Sequence, residues 1–160
     1  MIKKMAALVA IAAAAGVAVA VAQASTPKSL HVHQTGEGAG IGHPPFAGTG
    51  APGSAATFAG TLGTDGAIIE KWAFKAGSSS TFGGTVTVFA PQGSYSGKIT
   101  SATLTGAGGS GPPESAKLKV KITAGGGLYK GATGTVTITH TYISGSPAFY
   151  TIVVKGTIKY

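Results

Sequence analysis

Two titratable side chains fall in phase with apolar residues. Glu70 alternates in register with Ile68, Trp72 and Phe74, and His140 with Val136, Ile138 and Tyr142. Residues two apart on an extended chain share a face, so both groups point toward the side that carries the core. A carboxylate and an imidazole in a water-poor cavity can move protons to and from an apolar substrate. Solvated at a rim or hydrogen-bonded to neighbours, the same two groups would be structural. A second constellation is His31-Val32-His33. On a strand these imidazoles share a side and could hold one metal ion, with His43 as a third ligand. Glu37 is the one carboxylate nearby, and a polar exposed face opposite Leu30 and Val32 accounts for the pair equally simply. No metal and no cofactor is assigned.

Absences narrow the chemistry. The 160 residues contain no cysteine, and neither arginine nor asparagine occurs. Disulfides, thiolate metal sites, cysteine nucleophiles, N-glycosylation and bidentate arginine clamps are excluded. The net charge of +8 is therefore carried by lysine alone. Lysine faces attract anionic surfaces weakly, but without arginine specific nucleic-acid readout is not expected. Lysine also discourages strand edges from pairing. No serine sits in a Gly-x-Ser-x-Gly elbow. Gly126 and Gly131 have the Walker spacing, but Ala132 stands where the lysine is needed. The Gly36-x-Gly38-x-Gly40 run precedes no helical segment, so a dinucleotide loop fails too.

The elements that must position Glu70 and His140 are strands. Lys3 and Lys4 lead an apolar run that ends in Ala22-Gln23-Ala24, the form of a secretory signal cleaved before Ser25. Residues 1–24 are read as that signal, and the protein as secreted. Residues 25–54 read as a Gly/Pro-rich arm with one candidate strand at 29–35. Residues 55–160 read as the folded domain. There, runs rich in Thr, Val, Ile and aromatics recur at 55–62, 67–75, 84–90, 94–105, 115–123, 135–142 and 149–160. Turn signals separate them: Asp65-Gly66, which suits a tight hairpin, Pro91-Gln92-Gly93, a glycine-rich corner at 124–134, and Ser144 to Pro147. Alternation assigns faces: Ala116, Leu118, Val120 and Ile122 inward, with Lys117, Lys119 and Lys121 outward. Tyr150, Ile152, Val154, Ile158 and Tyr160 are likewise in phase, with Lys155 and Lys159 opposite. An antiparallel all-β domain with one buried face per strand follows, either a sandwich or a barrel.

The segment Gly126-Gly127-Leu128-Tyr129-Lys130-Gly131-Ala132-Thr133-Gly134 resembles the corner of allene oxide cyclase-like and dirigent-like barrels. The run Phe149 to Ile158 is similar to their closing strand. The resemblance is carried by residues 124–160, and the leader and Thr/Gly-rich strands are similar to secreted bacterial members. It implies an eight-stranded antiparallel β-barrel of calycin-like form, wide enough to be filled by side chains or to hold one small molecule. The polar residues that relatives use for catalysis include asparagine in one branch and arginine with aspartate in the other. Neither asparagine nor arginine occurs here, so the expectation leans away from an enzyme.

The function expected is binding of a small hydrophobic or phenolic molecule in the barrel interior. Trp72, Phe74, Tyr142 and Tyr150 form the walls, and Glu70 or His140 makes the polar contact. Two alternatives stay open. One is a cofactor-independent cyclase or isomerase using Glu70 and His140. The other is a structural or surface-interaction protein with a packed barrel.

Overall fold

The computed structural model describes residues 26–41, 53–76, 82–106, 114–143 and 146–160. They form eight strands: β1 (Ser29–Ile41), β2 (Gly53–Gly60), β3 (Gly63–Phe74), β4 (Phe82–Ala90), β5 (Gly93–Thr105), β6 (Ser115–Gly127), β7 (Thr133–Ile143) and β8 (Ser146–Lys159). Each pairs antiparallel with its neighbours in sequence, and β8 pairs with β1 to close the barrel. Closure removes every free edge, which an open sheet of such β-prone sequence would leave exposed. The signal-peptide reading of residues 1–24 lies outside the described residues.

The inner face is the one alternation assigns. Val120, Leu118, Ile138, Ile152 and Ile158 are fully buried, and Lys117, Lys119 and Lys121 are exposed. The wall is strongly staggered. From Tyr150, directly paired residues lead through Gly38, Ala56, Ile68, Val88 and Tyr95 to Gly125 near the end of β6. In the other direction Tyr142 pairs with Tyr150 and donates its N–H to the carbonyl of Glu114, just before β6 begins. The two paths meet the same strand at opposite ends, so the strands tilt steeply and the interior widens.

Three local readings of the sequence are corrected. The arm at 36–54 is largely wall: β1 runs on to Ile41 and β2 begins at Gly53, leaving only 42–52 outside the described residues. Glycine serves close approach here, not a loop. A Cβ on Gly38 would stand 2.6 Å from the Tyr150 hydroxyl and 2.6 Å from the Ala56 Cβ. Asp65-Gly66 is not the hairpin turn but lies inside β3, and the chain reverses at Thr61-Leu62. Gly66 pairs with Phe58, whose ring occupies the place a Cβ would take, while Leu62 is buried beneath the barrel. The corner at 124–134 is narrower than read, because β6 continues to Gly127.

That corner closes one end of the barrel. Gly127 and Gly131 take left-handed φ values of 62° and 78°, which turn the chain back with Tyr129 tucked inward. Tyr129 meets Tyr95 and Tyr160 edge-on, with ring centroids 6.0 and 5.1 Å apart. At the opposite end β1, β3, β5 and β7 finish and β2, β4, β6 and β8 begin.

Candidate functional site

The site lies toward that second end. Glu70 and Trp72 project inward from successive pleats of β3. Ser54 stands directly opposite Glu70 on β2. His140 and Tyr142 come from β7, and Tyr150 comes from β8. In the closed order β3 and β7 are diametrically opposed. Their side chains nevertheless touch: Glu70 Oε1 lies 3.2 Å from His140 Nε2, and both side chains are completely buried. Small inward residues make room for this bridge. Ala116 pairs with His140, Gly84 with Trp72 and Gly38 with Tyr150.

Glu70 is the hub. Its Oε2 accepts hydrogen bonds from Ser54 Oγ at 2.7 Å and from Trp72 Nε1 at 2.9 Å, while Oε1 faces the imidazole. Two donors on one carboxylate oxygen suit the ionised form, and hydrogen bonds to a charged group contribute about 1.5–3 kcal/mol each. An ionised carboxylate offers no hydrogen, so the hydrogen between Oε1 and Nε2 belongs to His140. Three rings pack near the imidazole. Tyr150 lies 4.4 Å away at a 34° tilt, Trp72 stacks at 6.1 Å, and Tyr142 meets it edge-on at 6.4 Å.

One hydrogen-bonding position of this cluster is unmatched. His140 Nδ1 is buried and has no partner among the described residues. With Nε2 carrying the hydrogen, Nδ1 is a lone pair in neutral histidine and an N–H donor in the cation. Either form leaves a valence that a ligand or water can complete. Deeper in the barrel, both ends of the Gln34 amide and the Tyr95 hydroxyl are likewise buried without partners among the described residues.

The two phenols stay protonated. Burial pushes the Tyr142 hydroxyl well above the usual tyrosine range, with the Glu70 charge and Tyr150 adding to the effect. Burial does the same to Tyr150, opposed by the Ser54 hydroxyl and reinforced by Glu70. Tyr150 gives its hydrogen to the carbonyl of Ala55, 3.2 Å away.

Glu70, His140, Trp72, Tyr142 and Tyr150 are thus brought together. Phe74 is half-buried one pleat nearer the strand end. His31 and His33 are exposed, with His31 Nδ1 3.2 Å from Thr157 Oγ1, and His43 lies outside the described residues. Among the described residues no three His, Cys, Asp or Glu side chains are grouped to hold a metal. Ser54 and Gln34 were missed by sequence reasoning. Ser54 is in phase with Ala56 and Phe58, and Gln34 with Leu30 and Val32, so alternation carried the signal for both.

A groove of about 530 Å³ crosses the outer wall over β8, β1, β2 and β3. Ile69 and Phe149 flank its Ala39 and Ala55 floor, one cross-strand row in register. No protein-family model, curated protein or solved structure matches the chain.

Proposed function

We propose that the protein is an exported barrel that binds one small hydrophobic or phenolic molecule inside, at the end carrying the Glu70–His140 bridge. The observation that carries this reading is His140 Nδ1, a buried polar atom without a partner among the described residues, set among aromatic rings. Ligand sites combine apolar walls with a few placed polar groups, and a phenolic hydroxyl can complete this valence in either protonation state. The lysine-led apolar leader supports export, and the Gly126–Gly134 corner supports kinship with allene oxide cyclase-like and dirigent-like barrels. Binding without turnover is the preferred form, because those barrels' catalytic asparagine and arginine have no counterpart here.

One observation favours a second reading. Glu70 already has three partners that tie β2, β3 and β7 together, as expected of a strut in a purely structural barrel. Imidazole nitrogen NMR separates the two. Saturable movement of the His140 Nδ1 resonance on adding small phenols supports binding. An Nδ1 resonance unmoved by phenols and fatty acids leaves the strut.

A further inference from the structure

We infer that the outer wall formed by β5, β6, β7 and β8 is a docking surface for a carboxylated polysaccharide. Six exposed lysines stand on it: Lys98, Lys117, Lys119, Lys121, Lys155 and Lys159. The strand register fixes their pattern. Lys119 and Lys155 flank Thr137 from either side, Lys117 faces Thr139, and Lys98 stands directly opposite Lys121. Like charges set opposite on paired strands are destabilising, and a bound polyanion would relieve that repulsion. Among the described residues none of these lysines has an ion-pair partner. Nor does any of the chain's four acids stand opposite one of them in register: Glu70 is internal, Glu37 and Asp65 lie on β1 and β3, and Glu114 precedes β6.

The wall is also furrowed. Shallow depressions of about 330 and 390 Å³ share Lys117 and Thr137, and together run from Ser101 on β5 to Lys155 on β8. Hydroxyls of Ser101, Thr103, Thr137 and Thr139 line them between the ammonium groups. That alternation suits a chain whose repeating units carry both carboxylates and hydroxyls, since ammonium groups pair with the first and threonines exchange hydrogen bonds with the second. Other polyanions fit less well. The furrow offers one apolar side chain, Val153, and no aromatic ring. Hydrophobic anchoring in a membrane needs apolar residues to insert, and tight binding of single-stranded nucleic acid draws on rings to stack on.

The test passes the purified full chain over immobilised polygalacturonate at near-physiological salt. Retention is expected, with release as salt rises. Replacing Lys117, Lys119 and Lys155 together with glutamine should weaken retention at least tenfold while leaving thermal unfolding cooperative. Replacing Lys71, Lys75 and Lys130, which are exposed elsewhere, should change it less than twofold. Absence of retention overturns the proposal. So does equal loss in the two triple variants, which would reduce the effect to net charge. Equal retention of the wild-type protein by duplex DNA or by anionic phospholipid vesicles would also overturn it.

Discussion

Glu70 on β3 and His140 on β7 join opposite sides of the barrel wall through a single 3.2 Å contact between fully buried side chains. The bridge spans the lumen between strands that lie opposite in the closed order. It holds the carboxylate against Ser54 and Trp72, and it leaves the far nitrogen of the imidazole buried without a partner among the described residues.

Removing one partner of a buried pair strands the other, at a cost of about 3–5 kcal/mol. His140→Ala should therefore destabilise by about that amount in chemical denaturation. His140→Phe, combined with Glu70→Gln, should cost less than the two single changes added together, by more than about 0.5 kcal/mol. Strict additivity would mean that the two groups do not interact in solution.

The close approach of Tyr150 to β1 makes Gly38 a sensitive position. Gly38→Ala places a methyl group against the Tyr150 hydroxyl and the Ala56 Cβ, and overpacking of this kind costs about 1–3 kcal/mol. Gly126→Ala is the control, since its nearest neighbour is Ser94 Oγ at 3.6 Å. Equal urea midpoints for the two variants would contradict the described wall.

Alkaline pH should unfold the protein. Tyr95, Tyr142 and Tyr150 have phenols raised above the usual value of 10.0, chiefly by burial. In the unfolded chain they ionise near that value, so above it the folded state binds more protons and stability falls as pH rises. Below it their contribution is fully present. Each phenol steepens the fall by at most about 1.4 kcal/mol per pH unit. Ultraviolet titration should show these three ionising together with loss of far-ultraviolet β signal. Ionisation of all three in a folded barrel would refute their burial.

The strand faces were legible in the sequence, and the Glu70–His140 contact was not. Lys117, Lys119 and Lys121 alternate with Leu118 and Val120 so regularly that inside and outside follow directly. The same logic placed Glu70 and His140 inward. Their contact lies 70 positions apart in sequence and depends on closure and stagger, which no local pattern encodes. Gly36, Gly38 and Gly40 read as a loop because glycine weakens strands in general. Here the Tyr150 hydroxyl needs the room at Gly38 and the backbone of β2 comes close at Gly36, and those partners belong to other strands. Asp65-Gly66 was the better turn by propensity, but the burial of Leu62 and the seating of Phe58 over Gly66 decide the reversal.

The outer groove is a separate feature from the interior site. Ile69→Ser and Phe149→Ser each remove an exposed apolar rim, so the folded protein should become more soluble while stability changes within about 0.5 kcal/mol. Ligand-induced change in Trp72 emission should persist in both variants. Its loss with the fold intact would move the ligand site to the groove.

Fluorescence of Trp72, the chain's only tryptophan, tests the central claim most directly. Its indole N–H is bonded to Glu70 and its ring stacks on His140, so a molecule engaging Nδ1 must perturb its emission. Titration with small phenols and fatty acids should give a saturable single-site change, at least tenfold weaker in folded His140→Phe. Emission that stays constant to the solubility limit of every ligand, in protein shown to be folded, would contradict interior binding.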